Sequence, residues 1–372
     1  MSDLTSPAGP PAEITHLVRE RTEARARHDW PKADELKAQI EAAGWRVVDR
    51  GSRTSITPAA PATVAVDGEV RYGTASAVPS LLDAPATAAW TVVVLASEQP
   101  ERVSRLLTAL RTHAPVGTQV VAVANDPSEA QRAALAADAP DRAPISGTVP
   151  EILRTSTRLG YAAALNIALQ RAAGEFVLLT DATVWPAGDA LSPLATALHD
   201  PEVAAAGAFG LYSGAAGPIR PGGLTREPAA AEDVAGNVAT ADGAAPAIAD
   251  ATALEGAWLA FRRSDYIELG PLDEHFVTPA WLDVWWTLRL RAGEEPEGAE
   301  YVETAMDDSE EPAGAPAAEV EHEIPMPKPR RAVRLALPLE RDEIAWPPDR
   351  VRLNRRNMYR VLDRFGWRED LA

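Results

Sequence analysis

The feature that most constrains the fold is an alternation of strand-like and helix-like segments that begins at Trp90. The segment WTVVVLA (90–96) is continuously apolar, as strands buried on both faces of a parallel sheet are. The segment 101–111 then repeats its apolar residues at helical spacing. The alternation continues with strand patterns over 119–124 and 175–180 and a helix pattern over 160–173. Strands that alternate with helices predict an α/β fold with a doubly wound sheet.

Polar side chains directly follow two of these strands. Asn125 and Asp126 follow the strand 119–124, and Asp181 follows the later strand. Ligands of doubly wound sheets bind beyond the carboxyl ends of the strands, so these side chains are candidates for ligand contact. The alternative is a purely local role. Asn and Asp before a proline such as Pro127 commonly form turns, and Asp181 can cap a turn.

Composition excludes several kinds of site. The 372 residues include no cysteine, which excludes disulfides, cysteine-ligated metals and thiol nucleophiles. The 36 basic and 54 acidic residues leave a net charge of −18, which argues against nucleic acid as a partner. Residues 294–323 hold many of the acids and no Lys or Arg, and they predict a disordered acidic loop over 293–325. The segment 214–250, rich in Gly, Ala and Pro, predicts a flexible loop.

The sequence shows no pattern for export or membrane insertion. The first residues lack the basic-then-apolar order of a signal peptide, and no apolar run is long enough to span a bilayer. We therefore expect a cytoplasmic protein. A basic helix is predicted over 348–366, and its arginines face either solvent or anionic lipid headgroups. Peripheral membrane contact through this tail is thus one alternative.

The N-terminal region predicts a small unit of its own. After a disordered start over 1–12, two helix patterns separated by Asp29-Trp30-Pro31 and a short strand at Trp45–Asp49 predict a helical hairpin plus strand over 13–57. The segment RTEARARHDWPKADELKAQIEAAGWRVVDRGSRTSI resembles the C-terminal appendage of cysteinyl-tRNA synthetases. No synthetase catalytic signature occurs, so the resemblance does not imply aminoacylation. A packing or docking role is expected, and tRNA binding is the alternative.

A linker is predicted between this unit and the alternating segments. Residues 58–88 are rich in Pro and Ala, and they include a hairpin pattern around Asp67-Gly68.

Four segments of the remaining chain resemble family 2 glycosyltransferases. The segment RLGYAAALNIALQRAAGEFVLLTDATVWP (158–186) is similar to the central motif of that family. The others are LEGAWLAFRRSDYIELGPLDEHF (254–276), WLDVWWTLRLR (281–291) and the tail RLNRRNMYRVLDRFG (352–366). The resemblance implies that residues 89–372 form a GT-A-like domain with a doubly wound mixed sheet, which binds a nucleotide-diphosphate sugar.

The resemblance also implies roles for single residues. Asp283 takes the position of the general base, which removes the proton of the acceptor hydroxyl. Donor contacts are implied for Asn125, Asp126, Asn166, Asp181 and Thr183, and acceptor contacts for Asp273, Glu274, Trp258 and Trp281. Structural alternatives stand beside these roles: a surface turn for Asp273 and Glu274, a solvated helix face for Asn166, a helix N-cap for Asp283, and a tryptophan-rich core for Trp258 and Trp281.

The chain departs from the family pattern at its acidic motifs. The Asp-x-Asp motif is Asp181-Ala182-Thr183, so a neutral hydroxyl replaces the second carboxylate. Mn²⁺ and Mg²⁺ favour anionic oxygen, so the resemblance implies a divalent metal while Thr183 weakens its site and leaves Asp181 as a weak ligand. The Glu-Asp-x-Asp block retains only Asp283, and Arg341-Asp342-Glu343 lacks the histidine that related sequences carry nearby.

Three functions follow from these observations. The first is inverting transfer of a sugar from a nucleotide-diphosphate donor to a cell-envelope glycan or lipid-linked acceptor. The second is a binding or scaffold protein that retains the glycosyltransferase fold without catalysis. The third, from the hairpin alone, is a tRNA- or synthetase-associated factor, although the hairpin lacks the aromatic and basic platform that RNA binding requires.

Overall fold

The structure is a computed structural model. It describes residues 11–50, 53–66, 68–96, 99–137, 149–213, 224–226, 248–293, 328–342, 351–366 and 368–371. The predicted disorder over 1–12 and the acidic loop over 293–325 lie almost entirely outside these residues, as does most of the loop 214–250. No described helix combines the length and the apolar character needed to cross a bilayer.

The N-terminal hairpin has the predicted form. Helix α1 (Ala12–Ala26) packs against α2 (Trp30–Ala42), and β1 (Trp45–Arg50) pairs antiparallel with β2 (Arg53–Pro58). Asp29 caps α2, because its side chain accepts a hydrogen bond from the backbone N–H of Lys32. Gly44, at φ +80°, ends the hairpin in the left-handed conformation that favours glycine.

An ion pair joins the hairpin to its strands. Arg21 is buried on α1 and donates two hydrogen bonds to the carboxylate of Asp49, at 2.9 and 2.7 Å. The hydrogen bond from Arg21 and its positive charge hold the pKa of Asp49 well below its usual range. Ile14, Ile40 and Val47 form an apolar cluster beside this pair. The unit thus has its own small core.

The segment 58–88 does more than link two units. Strands β3 (Val64–Val66) and β4 (Glu69–Tyr72) form the predicted hairpin, with Gly68 at φ +81°. Strand β4 also pairs in parallel with a strand of the main sheet, at Tyr72 and Thr155. The Pro and Ala content of the segment did not reveal this pairing, because β4 contains neither residue and its partner strand lies far along the chain.

The first half of the main domain alternates as predicted. The elements in chain order are β5 (Ala88–Leu95), α3 (Pro100–His113), β6 (Gln119–Ala124), α4 (Glu129–Ala137), β7 (Glu151–Thr155), α5 (Tyr161–Leu169), β8 (Gly174–Thr180), β9 (Val184–Pro186), α6 (Ser192–Leu198) and β10 (Val203–Gly207). Helix α5 stops four residues short of the predicted end, and a turn then leads into β8.

Most strand pairs in the second half of the main domain are antiparallel. Its elements are β11 (Gly210–Ser213), β12 (Leu224–Arg226), β13 (Ile248–Ala251), β14 (Ala253–Leu254), β15 (Trp258–Arg262), α7 (Arg263–Leu269), α8 (Leu282–Ala292), β16 (Arg331–Leu335), β17 (Leu339–Arg341) and α9 (Val351–Phe365). The described parts of the predicted loop 214–250 therefore include strand residues. Two short 3₁₀ turns lie at Ala75–Ala77 and Glu369–Leu371.

Ten strands form one mixed sheet in the order β13-β16-β10-β15-β8-β5-β6-β7-β4-β3. Strands β8, β5, β6, β7 and β4 run parallel, whereas β15 pairs antiparallel with both β8 and β10. Smaller sheets join β11 with β12 and β14, and β9 with β17. The predicted fold class, an α/β domain with a doubly wound mixed sheet after a helical hairpin, is confirmed.

Helices cover both faces of the sheet. Along β5, Val92 and Val94 face one apolar cluster and Val93 faces the other, because successive side chains alternate across a strand. One cluster includes residues of α3, α4 and α6, and the other includes residues of α5, α7, α8 and α9. Burial on both faces explains why the central strands read as continuous apolar runs.

Candidate functional site

A cavity of about 300 Å³ opens beyond the carboxyl end of β8. Apolar side chains form much of its wall, including Leu165, Leu259 and Trp286. Its polar lining comes from five side chains on separate elements: Tyr161, Asp181, Glu255, Asp283 and Arg341. A concave, largely apolar site with a few convergent polar groups is typical of small-molecule binding.

Asp181 enters the cavity from the turn that ends β8. Its Oδ1 accepts hydrogen bonds from the backbone N–H of Thr183 at 2.9 Å and from the Thr183 hydroxyl at 2.6 Å. Ala182 lies between them at φ +63°, a left-handed conformation that is uncommon for alanine. The turn directs the Asp181 carboxyl to the cavity and leaves Thr183 buried beneath it.

Asp283 enters the cavity from the first turn of α8. Its Oδ2 accepts a hydrogen bond from the Gly256 N–H at 3.0 Å, and its Oδ1 accepts one from the Val284 N–H at 2.9 Å. A Cβ at residue 256 would lie 3.2 Å from the Cβ of Asp283, so glycine permits this close approach. Trp281 occupies the N-cap position at φ +69°, so Asp283 is not the N-cap residue.

Burial is the main cause that raises the pKa of Asp283, to about 6. The negative charge of nearby Glu255 adds to this rise, whereas the hydrogen bonds from Gly256 and Val284 oppose it. A carboxyl that titrates near neutral pH can accept a proton from a hydroxyl more readily than an ordinary aspartate can. Perturbed carboxyls in cavities are also typical of functional sites.

Tyr161 begins α5 and faces the two carboxylates. Burial raises its pKa, and the charges of Asp181 and Asp283 raise it further. The phenol therefore stays protonated and neutral at neutral pH. Gly160, one residue earlier, lies against Val277, where an added Cβ would be 3.2 Å from the Val277 Cα.

Glu255 and Arg341 form an ion pair at the cavity wall. The Nη2 of Arg341 donates to the Oε2 of Glu255 at 3.1 Å. The guanidinium also lies over the ring of Phe209, with 4.5 Å between Cζ and the ring centroid. Glu255 is buried, and Arg341 is partly exposed.

The polar residues of the cavity do not fit a divalent metal. Among the described residues, no group of three or more acids and histidines is placed to hold an ion. Thr183 offers only a neutral hydroxyl, which is already donated to Asp181, and Glu255 is paired with Arg341. Hard divalent cations need several oxygen ligands that are free to approach.

Asn125 and Asp126, the predicted donor contacts after β6, lie outside the cavity lining. Asn125 is buried and holds the loop before α5, because its Nδ2 donates to the Leu159 carbonyl and its Oδ1 accepts from the Leu159 N–H. Asp126 is exposed at φ +51°. Neither lines the cavity.

Asn166 is also outside the cavity wall. It is fully buried on α5, which contradicts the alternative of a solvated helix face. Its amide donates to the Leu272 carbonyl and to Glu274, and its oxygen accepts from the Leu272 N–H and the Tyr266 hydroxyl. These partners use the donors and the acceptor of the side chain within the protein.

The four predicted acceptor residues separate into two groups. Trp281 lines the cavity, whereas Trp258 is completely buried in the core of β15. Asp273 accepts a hydrogen bond from the His275 N–H within a turn, and Glu274 is exposed. Among these four residues, only Trp281 lies beside Asp283 at the cavity.

Sequence reasoning did not select Glu255 or Tyr161. Both lie within segments that were read for other residues, 158–186 and 254–276, and only the folded chain brings them together. Arg341 was considered only as the neighbour of a missing histidine. In the structure Arg341 lies opposite Val184 in the β9–β17 pair, and the spacing of residues in the sequence does not indicate this position.

Two family models match separate parts of the chain. Residues 91–244 match the family model described as "Glycosyl transferase family 2". Residues 8–56 match the model described as "Cysteinyl-tRNA ligase anticodon binding domain". The first match includes Tyr161 and Asp181 but ends before Glu255. A search of curated proteins found no match.

Similar solved structures include GalNAc-T7 with UDP, GalNAc and Mn²⁺, at 12% identity and a TM-score of 0.46, over 74% of this chain and 48% of that one. They also include the Pyrobaculum calidifontis mannosyltransferase PcManGT with GDP-Man and Mn²⁺, at 20% identity and a TM-score of 0.38, over 58% and 55%. The S. aureus TarS fragment 1–349 with UDP has 16% identity and a TM-score of 0.37, over 54% of each chain. This chain thus covers about half the length of each.

The family matches agree with both resemblances that the sequence motifs predicted. Residues 91–244, with the strand β8 and the Asp181 turn, match glycosyl transferase family 2, and residues 8–56 match the anticodon-binding domain of cysteinyl-tRNA ligases.

Proposed function

We propose that the chain transfers a sugar from a nucleotide-diphosphate donor to a hydroxyl acceptor with inversion at the anomeric carbon. The observation that carries the proposal is the placement of the Asp283 carboxyl in a cavity beyond the carboxyl end of β8, where burial raises its pKa to about 6. The family match over residues 91–244 supports the same reaction class. Sites beyond the carboxyl ends of strands are usual in doubly wound sheets.

In this proposal Asp283 is the general base. The acceptor oxygen forms a bond to the anomeric carbon while the bond from that carbon to the diphosphate oxygen breaks. The bonding electrons leave with the diphosphate, and the hydroxyl proton passes to Asp283. Its raised pKa brings the carboxylate closer to the basicity that this transfer requires.

Other cavity groups orient the two substrates. Asp181 lies on the β8 side, where the donor's sugar or ribose hydroxyls can donate hydrogen bonds to its carboxylate. Trp281 presents an aromatic wall beside Asp283, and aromatic rings suit the apolar face of a pyranose acceptor. The acceptor class we propose is a cell-envelope glycan or a lipid-linked sugar, as the resemblance implies.

The domain carrying this activity is proposed to span residues 89–372. The N-terminal match does not enter the proposal, because every cavity residue lies outside 8–56. The cavity residues that the structure describes do not fit a divalent metal, and no step above involves one.

The non-catalytic alternative is favoured by one observation. The Asp-x-Asp and Glu-Asp-x-Asp motifs are reduced to Asp181 and Asp283. A protein that binds nucleotide sugars without transferring them would retain the cavity and lack turnover. The same experiment separates the two functions.

The test measures release of nucleoside diphosphate from a panel of nucleotide sugars, with and without glycan acceptors. For the active donor, Asp283→Asn should lower kcat by about 10²- to 10⁴-fold, because it removes the base. Its affinity for the nucleoside diphosphate should change little. The matched control is Asp363→Asn, an equal charge change at an exposed helix position outside the cavity lining.

Two results would contradict the proposal. Full activity of Asp283→Asn would exclude Asp283 as the base. Nucleotide binding by the wild-type protein without turnover on any donor and acceptor would favour the non-catalytic function.

A further inference from the structure

The charge balance of the cavity requires a cation. Three carboxyl groups line it, from Asp181, Glu255 and Asp283, and Arg341 is the single cationic side chain among the described lining residues. A nucleoside diphosphate adds further negative charge when it enters. Like charges in a partly desolvated cavity repel strongly, so the diphosphate needs a positive partner.

The backbone around Arg341 explains how that partner is positioned. Residues 339–341 pair antiparallel with Val184–Pro186, and the next N–H, from Asp342, donates to the Thr183 carbonyl at 2.9 Å. We call residues 339–342 the strap. It crosses the chain immediately after the Asp181 turn, so its side chains lie next to the donor end of the cavity.

Side chains of the strap alternate between two faces. On the outer face, Asp342 pairs with Arg102 at 2.9 Å and with Arg105 at 3.0 Å, both from α3. Glu340 on that face accepts a hydrogen bond from the Trp185 indole at 2.9 Å. The intervening residue, Arg341, therefore faces inward and lines the cavity, as the period of two in a strand requires.

The inward side chain is held in a defined place. The buried Glu255 accepts a hydrogen bond from the Arg341 Nη2, and Phe209 lies under the guanidinium. A guanidinium has five N–H donors in a planar fork that matches phosphate oxygens. It can thus bind two phosphate oxygens while its plane remains on the aromatic ring.

We propose that Arg341 is the cationic ligand of the donor diphosphate, and that this site binds nucleoside diphosphates without a divalent metal. The inference rests on the proposed function, because it assigns the donor class to the same cavity. Before the diphosphate binds, Glu255 holds Arg341 in position. When the diphosphate binds, its oxygens replace part of the contact between Arg341 and Glu255. The outer ion pairs to α3 keep the strap in place during the exchange.

The experiment is titration calorimetry of the full chain with nucleoside diphosphates carrying each common base, in EDTA and in Mn²⁺. The corresponding monophosphate is titrated in parallel. We expect one diphosphate to bind in EDTA with an affinity within about threefold of that in Mn²⁺, where tenfold corresponds to about 1.4 kcal/mol.

The variant is Arg341→Ala. It should weaken diphosphate binding by about tenfold to a hundredfold, the usual range for a hydrogen-bonded charge, and should weaken monophosphate binding much less. Arg341→Lys should recover part of the affinity. Arg331→Ala is the matched control, because Arg331 is ion-paired with one carboxylate, Asp250, at a site outside the cavity lining.

The outcomes separate this inference from the proposed function. Binding that requires Mn²⁺ and is unchanged by Arg341→Ala would overturn the inference while the donor site stands. Absence of binding to any diphosphate, with and without Mn²⁺, would overturn the proposed function and this inference with it. Thermal unfolding of each variant verifies that it is folded.

Discussion

Two groups of polar side chains lie near the carboxyl edge of the main sheet, and they differ in the partners of their hydrogen bonds. Asn125 and Asn166 are buried and hold loops by bonding both the N–H and the carbonyl of one residue, Leu159 or Leu272. Asp181 and Asp283 line the cavity; Asp181 accepts from the N–H and hydroxyl of Thr183, and Asp283 accepts from two backbone N–H groups. A primary amide, with donors and an acceptor, can satisfy a loop backbone completely, whereas a carboxylate only accepts.

This difference shows that polar residues in such motifs can have either a structural or a chemical role. An asparagine in a family-like motif can be structural when the loop that it holds forms the wall of the site. Asn166 fixes the loop at Leu272, and Leu272 itself lines the cavity. The amides therefore shape the cavity, and the carboxyls carry its chemistry.

The largest expected effect is on stability, from Asn166→Leu. This change leaves the buried Leu272 N–H and the Tyr266 hydroxyl without their acceptor. Each of the two unsatisfied groups costs about 1–3 kcal/mol, so the free energy of unfolding should fall by about 2–6 kcal/mol in urea denaturation. Asn166 does not line the cavity, so nucleoside diphosphate affinity of the folded protein should fall much less than it does for Arg341→Ala.

The matched comparison is Asp181→Asn. Its carboxyl bonds only its own turn, so the substitution should change unfolding free energy by less than about 1 kcal/mol. If Asn166→Leu instead lost nucleotide affinity while it kept wild-type stability, that result would support the predicted contact between Asn166 and the donor.

The next effect is a pH dependence caused by Asp283. Its pKa is about 6 in the folded protein and 3.8 in its ordinary environment, so the folded state binds more protons between these values. Stability therefore falls as pH rises from about 4 to about 6, by on the order of 3 kcal/mol for this group. Asp283→Asn should abolish that contribution.

The measurement compares unfolding free energies of wild type and Asp283→Asn from pH 4 to pH 8. The variant should gain stability relative to wild type as pH rises, with no further gain above about pH 7. Activity of the wild type should rise over the same range as the base loses its proton. A constant difference between the two proteins across this range would show that burial does not perturb Asp283.

The smallest effect tests the cavity chemistry by restoring a carboxylate. Thr183→Asp places a second acid beside Asp181, as in the motif that the chain departs from. Mn²⁺ should then strengthen nucleoside diphosphate binding by about threefold to tenfold over EDTA, since anionic oxygens are added. Thr183→Asn, with a neutral side chain of the same shape, should show no such gain.

The Mn²⁺ dependence of nucleoside diphosphate binding also tests whether Arg341 acts without a metal. If Thr183→Asp gained no Mn²⁺ dependence, the Asp181 turn would not present its oxygens to a cation. A Mn²⁺ effect already present in wild type would mean that Thr183 does not weaken the site.

Much of the architecture could be predicted from the sequence. The apolar runs at 90–96, 119–124 and 175–180 became β5, β6 and β8, because their length and bounds are local properties. The helical hairpin and its glycine cap at Gly44 were likewise readable from spacing. Asp181 and Asp283 were selected from motifs, and both line the cavity.

Other features required the folded chain. Strand β4 was taken for part of a linker, since pairing with β7 depends on residues some 80 positions away. Asn125 and Asn166 were assigned to the donor because a motif does not specify whether an amide faces a ligand or a loop. Trp258 was assigned to the acceptor, although the antiparallel position of β15 between β8 and β10 buries it.

The sequence by itself determined the alternating elements, the N-terminal unit and the two acids that the motifs retain, because each depends on patterns within a few residues. Tertiary structure alone decided which polar groups share the cavity. Glu255 and Arg341 are 86 positions apart, and their contact exists because β17 pairs with β9 beside the Asp181 turn. Long-range pairing sets side-chain neighbours through backbone geometry, and that information is absent from any local pattern.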